Sequence, residues 1–286
     1  MIPLPERDPE SPPQALPITP GFAVLLSLLL AFFQVVFMLM LHGLGFAAGP
    51  GTWGIAVLLA FAFSFTLAVP RIASPPGFHL GFVRPAPLAW GAALFLLSSI
   101  LLISEADNIL KQIWPLPPEL SSHEPSGSVA YQLGLVLVLL VVLPGTQELL
   151  FRGVLQPPMV RQFGALRGIL YVSALNALAL ALMNPWAVAS AFTTALVMGV
   201  VRHSGHSLLP SLLLHALFGV ITLMATYEAF DIPGFDDTSA AHTPMMWLAP
   251  AALLSGIGFS LCRAAAAATP PEPPASETPP PEPPEG

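Results

Sequence analysis

The chain has 286 residues, 55% of them hydrophobic and only 9% charged, against about 25% charged in ordinary soluble proteins. So little charge cannot clothe a water-soluble surface, so the composition excludes a soluble globular domain and requires lipid around the chain. The net charge of −7 gives no footprint for nucleic acid, and a single cysteine, Cys262, excludes an internal disulfide.

Residues 1–20 (MIPLPERDPESPPQALPITP) are proline-rich and acidic, unlike the basic start of a secretory leader, and read as a disordered N-terminus. Apolar runs able to cross a bilayer follow at 21–48, 53–70, 88–104, 129–145, 165–183, 186–202, 207–226 and 245–262. Asn184-Pro185 breaks the fifth from the sixth and predicts a hairpin of two spans. The fold class expected is therefore all-α, a polytopic transmembrane bundle of about eight spans occupying 21–262. Residues 263–286, nearly all Pro, Glu, Ser, Thr and Ala beyond 268, read as a disordered tail.

Charge placement gives the spans a direction. With the N-terminus in the cytoplasm, Arg7, Arg71, Arg84, Arg152, Arg161, Arg167, Arg202 and Arg263 fall on the cytoplasmic side and only Lys111 falls outside. The acidic groups Glu105, Asp107, Glu119, Glu124 and Glu228, Asp231, Asp236, Asp237 then lie in loops on the far side. A seven-span chain loses this agreement. Both termini are thus expected in the cytoplasm of what reads as a bacterial inner membrane.

Polar groups inside spans are costly and mark functional sites by default. Glu148 and Arg152, four apart at the expected cytoplasmic end of the fourth span, share a helix face and can pair. His215 lies within the apolar seventh span. Taken singly, these read as an interfacial ion pair and a hydrogen-bonded structural histidine. Asn176 and His42 read as locally satisfied groups. His203 and His206 flank Gly205 and read as solvated loop residues; with no third ligand in view, no metal site or cofactor is expected.

Order and combination change that reading. The run QELLFRGVLQPPMVRQFG, a hydrophobic pair, and then SGHSLLPSLLLHALFGVI resemble the CPBP family, the intramembrane proteases related to the CAAX prenyl endopeptidase that share the abortive-infection domain. The resemblance covers about 129–225, and GFHLGFVRPAPLAWG (77–91) is similar to the segment preceding that core. The family pattern is Glu-Glu-x-x-x-Arg, then Phe-x-x-x-His, then His-x-x-x-Asn or Asp. It implies a water activated by the first glutamate and the second motif's histidine, with the third motif's pair stabilising the oxyanion. Such chemistry needs a carboxylate base and donors facing the new negative charge.

In this sequence Gln147 stands at the first glutamate position, while Glu148 and Arg152 match the second glutamate and the arginine. The second motif falls within SALNALALAL, where Asn176 is the polar residue; no histidine occurs between His123 and His203. His215 matches the third motif, but Gly219 stands four residues later. The expected site is thus a remnant, Glu148 and His215, with Gln147, Arg152, Asn176 and Gly219 at or near motif positions. Three of the four residues expected to carry the chemistry are replaced.

The resemblance and its departures imply a non-catalytic or accessory paralogue that binds a membrane-embedded peptide or an active paralogous protease. The alternative is a divergent but active endopeptidase cutting membrane-anchored substrates. A small transporter subunit is the third possibility; few polar residues line the spans and no two-fold repeat is evident. Membrane lipid is the expected surrounding partner, and no nucleic acid is expected.

Overall fold

A computed structural model describes residues 16–72, 80–115, 128–182, 184–227, 229–230, 232–235 and 241–268. The N-terminal stretch 1–15, most of the tail, and Glu119, Glu124, Glu228, Asp231, Asp236, Asp237 and His123 lie outside the described residues. Every regular element described is helical: α1 Pro20–Gly43, α2 Pro50–Ala68, α3 Pro87–Leu96, α4 Ser99–Ile113, α5 Val129–Phe163, α6 Ala165–Ala181, α7 Val188–Gly205, α8 Leu208–Thr226 and α9 Met245–Ala268.

Local chemistry sets many of these boundaries. Thr19 caps α1, its hydroxyl accepting from Phe22 N at 3.2 Å with Pro20 at the first helical position. Ser128 caps α5 in the same way through Tyr131 N. Between α5 and α6 the chain turns at Gly164, whose φ of +80° favours a residue without a Cβ. The 42° bend between α3 and α4 coincides with Ser98 and Ser99. Their hydroxyls bond Phe95 O and Leu96 O, and Ser98 also reaches Ala251 O on α9 at 3.1 Å.

The eight expected spans correspond to helical segments, but they are not equally long. Six are long and apolar enough to cross a membrane: α1, α2, α5, α7 with its 3-10 start at Pro185, α8 and α9. The bent pair α3–α4 makes a seventh when counted as one span. The remaining segment, α6, has 17 residues and a length of about 25 Å, short of the roughly 30 Å hydrocarbon layer. About eight is therefore an approximate count.

Tertiary contacts put the helix ends into two sets. At one end Leu16 N donates to Pro70 O, Tyr171 OH to Pro20 O, and Leu208 N to Gly81 O. At the other, Asp107 accepts from Ser190 N at 2.9 Å, Trp114 stacks near Trp186, and Thr243 N donates to Glu105. Successive traverses thus run up and down, and both ends of the described chain meet at the same side.

Three expectations are corrected here. Residues 16–19, read as part of a disordered terminus, are tied down at Leu16 and Thr19. Helix α9 continues to Ala268, past the expected boundary at 262. Glu105 and Asp107 are not loop acids but lie on α4, which extends to Ile113 because its polar face has partners. Glu105 pairs with His242, Asn108 Nδ2 donates to Gly234 O at 2.6 Å, and Asp107 holds the start of α7.

Candidate functional site

Helix α5 runs for 35 residues, about 52 Å, instead of ending near 145. Two π segments interrupt it, Val138–Val142 and Glu148–Leu155. The wider π turn keeps residues four to five apart in line. Leu150, Phe151, Val154 and Leu155 face a core formed with α1, α2 and α6. On the opposite face Glu148, Arg152 and Gln156 form a polar stripe towards α7 and α8, whose apolar residues build a second core with α3, α4 and α9.

Each residue of the stripe reaches the second half. Glu148 Oε1 lies 3.0 Å from His215 Nδ1 on α8. Arg152 Nη2 donates to Ala195 O at 2.9 Å, and Gln156 Nε2 to Gly199 O at 2.7 Å, both on α7. Arg152 Nε stands 3.8 Å from Glu148 Oε1, too long for a good hydrogen bond but close enough to balance charge. Glu148 is 0% exposed and Arg152 1%. This overturns the reading of an interfacial pair at a helix end. His215 is seven residues from the start of α8, so the site lies about 10 Å inside the bundle.

Arg202, expected as the last residue of the sixth span, lies on α7. It follows Ala195 and Gly199 on the same face of α7. Its guanidinium packs under Gly81, with Cζ 2.8 Å from where a Cβ at that residue would sit. The 80–83 segment is itself pinned: Gly81 O accepts from Leu208 N at 2.8 Å, and Val83 O from Ser207 Oγ at 2.6 Å. Leu80 lies over Gly153. The linker therefore closes one end of the site. Gly81→Ala, at φ +86°, is expected to cost about 1–2 kcal/mol of backbone strain and to displace Arg202 as well. Unfolding of the purified protein in detergent measures it; a neutral result would disprove the close packing.

Residues 129–221, about a third of the chain, match the family model described as type II CAAX prenyl endopeptidase, Rce1-like. This segment is thus similar to the Rce1-like family. It runs from the start of α5 into α8 and contains Glu148, Arg152, Gln156, Arg202 and His215. No curated protein and no solved structure matches the chain.

Within the matched segment no hydrogen bond joins the remaining expected positions to Glu148 among the described residues. Gln147 is half-buried on the neighbouring face of α5 and bonds neither Glu148 nor His215 among the described residues. Asn176 is 2% exposed on α6, and its Oδ1 has no partner among the described residues. Gly219 packs so tightly that a Cβ there would overlap Leu139 O and sit 3.0 Å from Leu139 C, in the first π segment. The place of the third motif's second residue is thus occupied by backbone.

No group of three or more His, Cys, Asp or Glu comes together among the described residues. His203 and His206 have ring centres 6.1 Å apart. His42 is exposed in the last turn of α1 rather than within a span that continues to 48. Sequence reading missed Gln156 and Arg202. For Gln156 the available signal was the four-residue spacing after Arg152; for Arg202, at the end of the sixth span, none pointed to its packing under Gly81.

Proposed function

We propose that the protein is a non-catalytic CAAX protease-like membrane protein that binds a membrane-embedded peptide or partner through the α5–α8 face. The observation that carries this reading is the state of Glu148. Its side chain is wholly buried, and Oε1 is already shared by His215 and Arg152. A general base must reach the proton it removes; Oε2 has no partner among the described residues, and it is the complete burial of the side chain that argues against that role.

Two further observations support the reading. Backbone fills the position of the missing oxyanion partner at Gly219. At the bend between α3 and α4 an apolar groove of roughly 710 Å³, lined by Leu94, Phe95, Leu101, Ile221, Met224 and Phe235, reaches α8 two turns beyond His215. Such a groove accommodates an apolar segment without any need for cleavage. The gathering of Arg71, Arg84, Arg161, Arg167 and Arg263 at one end supports placing both termini in the cytoplasm.

A second reading, a divergent active endopeptidase, is favoured by one feature: His215 is 13% exposed and keeps one ring nitrogen unbonded among the described residues. Reconstitution with membrane-anchored peptides separates the two. The wild type, Glu148→Ala and His215→Ala are all expected to leave the peptides uncut. Cleavage by the wild type that either substitution abolishes would refute the non-catalytic reading. In the uncut case, an intact paralogue recovered with the chain after crosslinking is the expected partner, and recovery of none counts against the accessory role.

A further inference from the structure

The geometry around His215 assigns a direction to the dyad that the family pattern does not. A carboxylate has no proton to give, so the 3.0 Å contact from Glu148 Oε1 to Nδ1 requires a proton on Nδ1. In a neutral imidazole the second nitrogen, Nε2, then carries a lone pair.

The hydrogen bond of the His215 ring found among the described residues is the one at Nδ1. Glu148 is closed off and Arg152 is 1% exposed, whereas His215 keeps 13% of its side chain accessible. The accessible member of the site is therefore an acceptor. It cannot stabilise an oxyanion, because a lone pair faces where the negative charge would form.

We propose that His215 Nε2 is the ligand-contacting atom of the site and accepts a hydrogen bond from an amide N–H of an apolar, membrane-embedded peptide segment. Glu148 is the positioning residue that fixes the tautomer. Arg152, four residues on along α5, balances the charge of Glu148. A backbone N–H released from helical pairing inside the bilayer needs an acceptor, and a fixed lone pair at this depth supplies one. This rests on the reading that the site binds a membrane peptide, and it adds the chemistry by which the peptide is recognised.

The test is ring-nitrogen NMR on the full-length protein in bilayer nanodiscs with labelled histidine, His215 being assigned by comparison with His215→Gln. The expected spectrum shows a pyrrole-type Nδ1 and a pyridine-type Nε2. Adding N-decylacetamide, which carries one amide N–H, is expected to shift the Nε2 resonance. N-decyl-N-methylacetamide, of similar size and without that N–H, is expected to leave it in place. In Glu148→Gln the two tautomers are expected to mix, because an amide side chain can either donate or accept.

A proton on Nε2 in the wild type, whether from the reversed tautomer or a doubly protonated ring, overturns the proposal. So does a shift that is absent with both amides or equal for both. A tautomer unchanged in Glu148→Gln removes Glu148 from the positioning role, and if that variant does not fold, the wild-type spectra decide alone. The tautomer measurement needs no partner, so its failure leaves peptide binding standing. Cleavage by the wild type overturns the non-catalytic reading without touching the tautomer.

Discussion

Arg152→Met is expected to destabilise the folded protein by about 3–5 kcal/mol, because it leaves Glu148 as an uncompensated charge in a closed interior. The residue pair is 1% and 0% exposed, and Arg152 also ties α5 to α7 through Ala195 O. Methionine keeps most of the volume and isolates the electrostatic part of the loss. The double variant Glu148→Gln/Arg152→Met removes both charges and is expected to recover much of the stability, since the two sites are directly coupled. Denaturant unfolding in detergent, run as a double-mutant cycle, measures both. A single variant within about 1 kcal/mol of wild type would show that the pair carries no such weight.

Gly219→Asn restores the residue that the family pattern places four after its histidine, and it is expected to lower stability without creating activity. Any Cβ at 219 meets the carbonyl of Leu139, and that carbonyl belongs to a π segment that cannot move without shifting the rest of α5. Overpacking against backbone costs about 1–3 kcal/mol, and the extra atoms of asparagine place it at the upper end. Thermal unfolding and the peptide-cleavage assay together read the outcome. A stable Gly219→Asn protein that cuts peptide would mean that α5 and α8 can separate and would refute the proposed non-catalytic role.

The two substitutions act on the same seam from opposite sides. Arg152 holds α5 and α7 together by charge and hydrogen bonding, while Gly219 lets α5 and α8 approach by having no side chain. A catalytic site needs room between these helices for a substrate carbonyl and a water. Here the space is taken by protein. Loss of the motif residues and closure of the seam therefore agree with each other, and restoring one residue does not reopen the other.

Much of the fold was legible because a bilayer imposes one-dimensional rules. Apolar length marked the helices and Asn184-Pro185 marked the break between α6 and α7, neither of which needs contacts between helices. The family likeness was legible for a similar reason: ELLFRG and SLLLHALF are local strings, and the match to residues 129–221 rests on the same stretch. Lengths were less legible. The polar half of α4 reads as loop until Gly234, Thr243 and Ser190 supply partners for Asn108, Glu105 and Asp107, and α5 reads as ending at its proline and polar residues until α7 satisfies them.

What the sequence determined by itself is that the chain is a membrane helical bundle with an Rce1-like segment in which three expected catalytic residues are replaced. Tertiary structure alone decided what the survivors do. It turned Glu148 inward, between Arg152 and His215, packed Arg202 under Gly81, and set backbone where Gly219 leaves space. The physical reason is that burial and pairing depend on which helix faces which, and residues as far apart as 148 and 215 acquire a shared chemistry only when packing puts them within 3.0 Å.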